Sequence, residues 1–446
     1  MNIIIAGDGE VGFHLAKLLS KENHNITIID PHYDFIKLIE GETDILAVSG
    51  DPTSINVLKD NNISNTNLFV SVVHDEKTNI ITASLAKQLG AKETIARITN
   101  TEYLDSKNQE YFKNMGIDHI VCPERIAADE ILSLLSETGA IEIFNFSQGK
   151  ICLILIKIDE NSPLLNKTID TIANENKDIP FRFVAIHRKS QTIIPGGNDI
   201  LMQGDLTYVI TKTDFIQNVM QVAKIKKYSI NNLMIVGASR IGIKTALGIE
   251  KKINVKLIEI DKNKCLTLGN ILDDTLIING DARNSTLLEE EDISQMDAFV
   301  AVTGNSETNI LTCLLAKKYG VKRIIALIDN LEFIDIAQNI DLDIIINKKL
   351  ITASYIARYT MSTEVASMKC LHSVDAEVME FVAKPKSAVT KKSIKNLHIP
   401  QNAIIGGIIR DKVGYIATGE FQIQENDNVV VFALPSAYKK VQELFH

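Results

Sequence analysis

A glycine-rich segment near the start of the chain limits the folds that the chain can adopt. Residues 2–12 combine a run of three isoleucines with three glycines in the spacing G-x-G-x-x-G and the start of a helical pattern. A β-branched apolar run without alternation is typical of a parallel strand that is covered on both faces. The first glycine permits a tight turn, the second lets backbone N–H groups approach a pyrophosphate, and the third lets the helix lie close to the strand. The segment therefore predicts a strand, a phosphate loop and a helix whose N-terminus faces an anion.

The residues that follow favour a dinucleotide-type site. After the helical pattern, an apolar strand at residues 26–29 ends at Asp30, which is 23 residues after Gly7. An acid near this spacing is typical of one that binds the adenosine ribose. A carboxylate accepts hydrogen bonds from both ribose hydroxyls and repels a 2′-phosphate, so Asp30 favours NAD(H) over NADP(H). ATP, ADP and AMP carry the same two hydroxyls, so Asp30 does not exclude them.

Strands and helices then alternate to about residue 137, which predicts a complete doubly wound, Rossmann-like α/β domain with a parallel sheet. The further strands are expected at residues 45–48, 68–73, 94–98 and 119–122. The further helices are expected before residue 40, around residues 57–58, and at residues 80–89, 103–113 and 124–137. From residue 140 the apolar residues recur at every second position, which is typical of strands with one buried and one exposed face. These strands are expected at residues 151–158, 181–186, 191–194 and 206–210, followed by a helix at 215–223. This part is predicted to be a small β-rich α+β module.

The predicted order of motifs, strands and helices then repeats at an offset of 230 residues. Gly237 and Gly242 match Gly7 and Gly12, and 15 of the 32 residues in 67–98 are identical to those in 297–328. Such identity indicates an internal duplication rather than two unrelated sheets.

The β-rich parts repeat as well, at an offset of 222 residues, because Arg188 and Asp205 match Arg410 and Asp427. We therefore predict two nucleotide-binding domains, each followed by a β-rich module. The expected boundaries are 1–124, 140–225, 230–350 and 366–446.

Composition narrows the class of protein. The formal net charge of −9 argues against a nucleic-acid surface, which needs a basic face. The five cysteines form no C-x-x-C pair, so neither a disulfide framework nor a zinc site is indicated. The start lacks the charged region of a signal peptide, and no apolar run approaches the roughly 18 residues of a spanning helix, so we expect a cytoplasmic protein.

Four short motifs carry a resemblance to a known family. They are Gly-Asp-Gly-Glu-Val-Gly at residues 7–12, Gly-Asp at 50–51, Asp-Glu-Lys-Thr-Asn at 75–79 and Ala-Arg-Ile at 96–98. With the duplication, they closely resemble the TrkA family, the peripheral subunits of bacterial Trk potassium uptake systems, which are built from tandem regulator-of-K⁺-conductance (RCK) domains. The resemblance covers essentially the whole chain. The sequence departs from the family pattern at Val73-His74 and keeps only part of it at residues 302–309.

The resemblance implies a regulatory subunit that senses nucleotides and is not an enzyme. Its implied partner is an integral-membrane potassium-translocating subunit of the TrkH/TrkG kind, on the inner face of the cell membrane. It also implies a ring-like homo-oligomer, expected to be a tetramer. No nucleic-acid partner is expected, because the net charge is −9.

The two nucleotide sites are not expected to be equal. Ser239 replaces the middle glycine, and its Cβ should obstruct the closest approach of a pyrophosphate. Arg240 stands where the first loop has Glu10, and an arginine at a helix N-terminus favours a ligand with more terminal phosphate charge. In related gating domains an arginine here resembles a γ-phosphate contact. The alternative is a solvated surface arginine.

A second asymmetry lies at the end of the fifth strand, where Leu327 replaces Arg97. In TrkA-like proteins an arginine at this place lines the nucleotide site, and the alternative is a surface salt bridge. We expect NAD(H) at the first site and either NAD(H) or ATP/ADP at the second. The candidate binding residues are Gly7, Asp8, Gly9, Glu10, Val11, Gly12, Asp30, Asp51, Val73, His74 and Arg97 in the first copy, and Gly237, Ala238, Ser239, Arg240, Ile241, Gly242, Glu259 and Asp281 in the second.

Two other classes of protein fit the sequence less well. An NAD-dependent oxidoreductase would need a catalytic domain with a proton-transfer group, whereas here each nucleotide half is followed by a small β-rich module. Tyr33-x-x-x-Lys37 and Tyr103-x-x-x-Lys107 have the Tyr–Lys spacing of short-chain dehydrogenases but lie in early helices, and we interpret them as surface residues. A fused channel gate would need transmembrane segments, so any channel is expected to be a separate subunit.

Overall fold

The computed structural model describes residues 1–7, 9–20, 24–32, 45–136, 142–146, 149–188, 191–225, 229–340, 342, 344–360, 365–370 and 377–445. The chain forms two compact units. The first contains Met1–Leu135 and Ile230–Thr360, and the second contains Ser136–Ser229 and Met361–His446. Each unit therefore combines a piece of each half of the duplication.

The first copy of the nucleotide-binding domain contains a six-stranded parallel sheet. Its strands are β1 (Asn2–Ala6), β2 (Asn25–Asp30), β3 (Leu46–Ser49), β4 (Leu68–Ser71), β5 (Glu93–Arg97) and β6 (His119–Val121). Their order is β3-β2-β1-β4-β5-β6, and every pairing is parallel. The central strand β1 is buried from Ile3 to Ala6, as expected of a strand covered on both faces. The order reverses between β1 and β4, which places the ligand crevice at the carboxyl end of those two strands.

Helices cover both faces of this sheet. They are α1 (Glu10–Ser20), α2 (Ile55–Asp60), α3 (Glu76–Gln88), α4 (Ser106–Asn114) and α5 (Pro123–Ser136). Helix α3 begins at Asp75, whose side chain accepts a hydrogen bond from the backbone N–H of Thr78. This cap satisfies one of the otherwise unpaired N–H groups of the first turn.

The first β module is an antiparallel sheet with two helices. It contains β7 (Glu142–Phe146), β8 (Ile151–Lys157), α6 (Ile169–Glu175), β9 (Phe181–Arg188), β10 (Gln191–Ile193), β11 (Leu206–Lys212) and α7 (Ile216–Val222). The strand order is β10-β9-β11-β8-β7.

The second copy repeats the parallel sheet. Its elements are β12 (Asn232–Val236), α8 (Arg240–Ile249), β13 (Asn254–Glu259), α9 (Lys262–Leu268), β14 (Thr275–Asn279), α10 (Ser285–Glu290), β15 (Ala298–Ala301), α11 (Ser306–Lys318), β16 (Arg323–Leu327), α12 (Glu332–Asn339), β17 (Ile344–Ile346) and α13 (Lys348–Ala357). The order β14-β13-β12-β15-β16-β17 is that of the first sheet. Because Ala6 pairs with Ile29 and Val236 pairs with Ile258, the register places Asp30 and Glu259 in matching positions.

The second β module repeats the antiparallel sheet. It contains β18 (Val365–Cys370), β19 (Glu377–Val382), β20 (Ala403–Arg410), β21 (Val413–Ile416), β22 (Asn428–Ala433) and α14 (Tyr438–Phe445), in the order β18-β19-β22-β20-β21.

The two nucleotide-binding copies share a core. Helix α13 of the second copy packs its Ala353, Ile356 and Ala357 into the cluster that includes Leu15 and Leu19 of α1. In a second contact, Gly248 of α8 lies against Leu132 of α5, where an added Cβ would come within 2.4 Å of the leucine. The crossed contacts hold the two copies together as one body.

The two β modules also share a core. Leu153, Leu155 and Tyr208 of the first module belong to the same buried cluster as Val430 and Phe432 of the second. The half-buried Arg182 donates from Nη1 to the carbonyl oxygen of Ala417 at 2.8 Å, so a polar contact joins the modules as well.

The expected fold class is confirmed, with differences in detail. Strand β4 ends at Ser71 rather than at residue 73, and the helix expected at 103–113 is a 3₁₀ turn, Thr101–Leu104, followed by α4. Strand β7 and helix α6 were not anticipated. The helix expected to end near residue 40 lies outside the described residues. No helix in the described part of the chain is long and apolar enough to cross a membrane.

Candidate functional site

The glycine loops have the backbone geometry that the spacing predicts. Gly7 and Gly237 adopt φ of +113° and +101°, a region that side chains with a Cβ rarely enter. A Cβ on Gly12 would come within 2.1 Å of the Gly7 carbonyl oxygen, and one on Gly242 would come within 2.2 Å of that of Gly237. The first glycine therefore turns the chain, and the third allows the helix to begin directly against the loop.

The middle position differs between the two copies. A Cβ added at Gly9 would meet nothing within 4 Å, so the space above this residue is open. In the second copy Ser239 fills this position and caps α8, because its Oγ accepts a hydrogen bond from Gly242 N at 3.3 Å. The serine thus stabilises the helix start and occupies part of the space that Gly9 leaves open.

The two candidate ribose acids, Asp30 and Glu259, are buried. Asp30 Oδ1 accepts hydrogen bonds from His32 N at 2.9 Å and lies 2.8 Å from His32 Nδ1. Glu259 Oε2 accepts from Ala238 N at 2.8 Å, and its Oε1 accepts from Asp261 N at 2.9 Å. Glu259 therefore connects the strand end to the glycine loop. Asp30 holds the turn that follows its own strand.

A buried asparagine joins two strand ends in each copy. Asn79 Oδ1 accepts from Val73 N at 2.8 Å, and its Nδ2 donates to the Arg97 carbonyl oxygen at 3.0 Å. Asn309 repeats the arrangement by accepting from Thr303 N at 3.0 Å and donating to the Leu327 carbonyl oxygen at 2.8 Å. Each side chain therefore ties together the ends of two neighbouring strands, β4 and β5 in the first copy and β15 and β16 in the second, at the helix that follows.

The acids that follow the third strand of each sheet, Asp51 and Asp281, have different partners. Asp51 Oδ1 accepts from Thr53 N and Thr53 Oγ1 at 2.8 and 2.7 Å, and these bonds lower the pKa of the Asp51 carboxyl. Asp281 instead binds the guanidinium of Arg283, with Nη2 2.7 Å from Oδ2 and Nε 3.0 Å from Oδ1. The hydrogen bonds from Arg283 lower the pKa of the Asp281 carboxyl. A planar cation therefore stands at the second site where the first has a hydroxyl.

A cavity of about 510 Å³ lies at the carboxyl ends of β12 to β15. This is where ligands bind to open α/β sheets. It is lined by Val236, Gly237, Ser239, Ile258, Glu259, Ile260, Lys264, Gly280, Asp281, Ala282, Arg283, Thr303, Gly304, Asn305 and Thr308. Four of the expected residues of the second site, Gly237, Ser239, Glu259 and Asp281, are thus brought together.

Arg240 is placed differently from these four. It is exposed and is not among the described residues that line the cavity. Its charge acts instead on Glu76, at the start of α3 in the first copy. Burial raises the pKa of Glu76, but hydrogen bonds from Thr99 and Asn100, together with the charge of Arg240, outweigh burial and lower it overall. The charge of Arg240 therefore favours the ionised form of a carboxyl in the first copy.

The remaining expected residues lie around the two crevices. Arg97 is half-buried at the end of β5, and its buried Nε has no hydrogen-bond partner among the described residues. His74 is exposed beside Val73 at the crevice, and Val11 and Ile241 are buried in the first turns of α1 and α8. Ala238 and Gly242 belong to the second loop. Asp8 and the side chain of Glu10 lie outside the described residues.

Several residues at the two crevices were not predicted from the sequence. Asn79 and Asn309 were visible as identical residues in the duplication, but the sequence did not show that their side chains join two strand ends. Lys264 and Arg283 line the cavity without belonging to the glycine motif. The replacement of Thr53 by Arg283 at matching positions was the available signal for one of them.

Comparisons with known proteins identify the domains of the chain. The TrkA-N domain matches residues 3–123 and 233–348, and the TrkA-C domain matches residues 153–223 and 378–446. The chain is 31% identical over 454 residues to Trk system potassium uptake protein TrkA homolog 1 of Methanosarcina mazei, with all of both chains covered. It is 31% identical over 449 residues to Trk system potassium uptake protein TrkA of Haemophilus influenzae, covering 100% of this chain and 98% of the relative.

A solved structure shares the fold at lower sequence identity. The GsuK channel bound to NAD is 16% identical, with a TM-score of 0.61, and the match covers 100% of this chain and 78% of the channel. The family is established by the matched domains, which occur in their duplicated order, and by the full-length relatives. The chain belongs to the TrkA family of Trk system potassium uptake proteins.

Proposed function

We propose that this chain is a nucleotide-sensing regulatory subunit of a Trk-type potassium uptake system. The observation that carries the proposal is the union of both nucleotide-binding copies in one compact unit, through α13 on α1 and α5 on α8. A ligand that fits one arrangement of the two copies better than another shifts the balance between them. The names of the full-length relatives support the potassium uptake system as the process that is regulated.

The ligands follow from the two crevices. NAD(H) is proposed at the first site, where Gly9 leaves the loop open and Asp30 is placed to bind the ribose. The NAD-bound state of the structural neighbour supports a nucleotide ligand for this fold. An adenine nucleotide is proposed at the second site, where Ser239 fills part of the pyrophosphate space. Arg240, beside Glu76, is proposed to contact a terminal phosphate where the two copies meet.

The proposed partner is an integral-membrane potassium-translocating subunit, which the chain binds at the inner face of the membrane as a homo-oligomer. Each β module is joined by the chain to a nucleotide-binding copy, so a change between the copies reaches the modules through covalent connections. Catalysis is the weaker alternative. The described residues that line the cavity include no histidine, cysteine or tyrosine. Its possible proton-transfer groups are Lys264 and the carboxylates of Glu259 and Asp281, and both carboxylates are already hydrogen-bonded within the chain.

The test is a flux measurement on reconstituted membranes. Vesicles that contain the potassium-translocating subunit should show K⁺ uptake that depends on both this chain and a nucleotide, NADH or ATP. Nucleotide-independent flux in the presence of the chain would contradict the gating proposal. Loss of NADH absorbance with an added metabolite, carried by this chain, would instead place the protein among the oxidoreductases.

A second measurement tests the division of ligands. In the full chain, Asp30→Ala should weaken NAD(H) and relax the rejection of NADP(H), because an acceptor and a repulsive charge are removed together. Arg240→Ala should weaken ATP much more than AMP, by roughly ten- to a hundredfold for a lost charge-assisted contact. Equal effects on ATP and AMP would leave Arg240 as a solvated surface residue.

A further inference from the structure

The second cavity contains two features that the phosphate loop and the ribose acid do not explain. One is Ile260, which is 64% exposed although it is a large apolar residue, and which lines the cavity directly after Glu259. The other is Arg283, which lines the same cavity two residues after Asp281. Both follow strand ends of the parallel sheet, β13 and β14, which are neighbours.

The guanidinium of Arg283 is held in a fixed plane. Its Nε and Nη2 both donate to the Asp281 carboxylate, and the backbone N–H of Arg283 donates to the same carboxylate at 2.9 Å. A guanidinium bound in this bidentate way keeps its flat face available for stacking.

The backbone of Ile260 is fixed as well. Asn279 Nδ2, at the end of β14, donates to the carbonyl oxygens of Glu259 and Ile260 at 3.0 and 3.1 Å. The apolar side chain is therefore held at the cavity by the polar contacts of its neighbours. In the first copy Pro31 follows the ribose acid and Thr53 follows Asp51 by two residues, so neither feature is repeated there.

We propose that Ile260 and Arg283 form the base-binding platform of the second site, which holds a purine between an apolar side chain and a guanidinium plane. Bases stack on arginine planes as well as on aromatic rings, and the contact is independent of the number of phosphates. The inference rests on the proposed function, since it names what the second site recognises. It assigns to the base a part of the affinity that AMP, ADP and ATP have in common.

Calorimetric titration of the full chain with AMP, ADP and ATP tests the platform. Gly9→Asp is introduced first, so that a negative charge in the phosphate loop of the first site repels nucleotide phosphates and the titration reports the second site. An added Cβ at Gly9 meets nothing within 4 Å. In this background Arg283→Ala should weaken all three nucleotides by a similar factor of about tenfold. Arg283→Lys should not restore binding, because it retains the charge and loses the plane. Ile260→Ser should also weaken all three, whereas Leu266→Ser, at an exposed apolar residue that is not among the cavity-lining residues, should not.

Two results would overturn the platform. A loss that grows with the number of phosphates would make Arg283 a phosphate contact, and unchanged affinities would make it a surface residue. In both cases the parent chain still binds nucleotides and the regulatory proposal stands. If the parent chain binds none of the three, the adenine-nucleotide ligand proposed for the second site fails together with the platform.

Photolabelling gives a readout that needs no background substitution. With 8-azido-AMP and the unmodified chain, the crosslinked peptides should include Ile260 or Arg283, and excess AMP should prevent the labelling. Labelled peptides of the second copy that include neither residue would contradict the platform.

Discussion

The imidazole of His119 lies against the ring of Tyr359, with centroids 4.2 Å apart, and joins the last strand of the first sheet to the segment after α13. Burial lowers the pKa of His119 from its ordinary value of 6.5; Glu93 and Asp118 act in the opposite direction, and Lys113 and Lys87 reinforce the lowering. The folded state therefore favours the neutral ring at the junction of the two copies.

This lowered pKa predicts a pH dependence of stability. Between the lowered pKa of His119 and 6.5, the unfolded chain binds more protons than the folded chain, so the free energy of unfolding rises with pH in this window. Chemical denaturation at pH 5.5 and 7.5 should show the chain more stable at the higher pH. His119→Phe, which keeps an aromatic contact with Tyr359, should reduce that difference. His14, whose pKa is lowered by burial and by Lys17, should supply part of the remainder. An unaltered difference in His119→Phe would mean that His119 does not contribute.

The buried asparagines should contribute to stability rather than only to ligand contact. Asn79 is fully buried, and its side chain makes four hydrogen bonds, to Ser71, Val73 and Arg97. Asn79→Ala should lower the free energy of unfolding by about 2–3 kcal/mol, because buried backbone groups lose their partners. Asn61→Ala, which removes a single bond to the Val57 carbonyl oxygen near the surface, is the matched control and should cost less than about 1 kcal/mol. Equal effects in the two variants would argue against this role.

The open space at Gly9 predicts a substitution that separates binding from folding. Gly9→Ser copies the second loop, and an added Cβ there meets nothing within 4 Å. Thermal unfolding should therefore change little, whereas NADH affinity at the first site should fall by about tenfold, or ~1.4 kcal/mol. The reverse change, Ser239→Gly, removes the cap of α8 and should cost only a few tenths of a kcal/mol. If Gly9→Ser leaves NADH binding intact, the middle residue does not limit the pyrophosphate.

The matched ion pairs of the β modules should contribute more to the free energy of unfolding than exposed pairs do. The carboxylate of Asp205 is 1% exposed and binds Arg188, and Asp427 binds Arg410 with the same 2.7 Å distance from Nη2 to Oδ2. Arg188→Met would leave a buried carboxylate without its cation and should destabilise the chain by about 3 kcal/mol. Lys167→Met removes an exposed pair with Glu175 in the same module and should cost less than about 1 kcal/mol. Urea unfolding of both variants distinguishes the two cases, and equal losses would contradict the argument.

The shared cores predict that half of the chain is not a stable protein. Residues 1–228 alone would expose the faces of α1 and β8 that α13 and the second β module cover. We expect this fragment to aggregate or self-associate in size-exclusion chromatography, and co-expression with residues 229–446 to restore a soluble complex. A monomeric fragment with a cooperative thermal transition would show that each half holds its own core.

The duplication and the strand–helix alternation made the sheets predictable, because both leave regular patterns in the chain. Strand β7 and helix α6 were missed because they are short, and their residues carry no strong periodicity. The glycines and ribose acids were identified from spacing. Arg283 and Ile260 were not, because their role depends on which side chains meet at the cavity. The position of Arg240 beside Glu76 depends on how the two copies pack, which no local pattern encodes.

The contact of α13 with α1 cannot form until the ribosome has synthesised most of the chain. Leu15 emerges from the ribosome about 340 residues before Ile356, which shares its buried cluster. At roughly 5–20 residues per second, the apolar face of α1 waits on the order of 20 to 70 s for its partner. During that interval the nascent chain presents an uncovered hydrophobic helix, which is the kind of surface that chaperones bind.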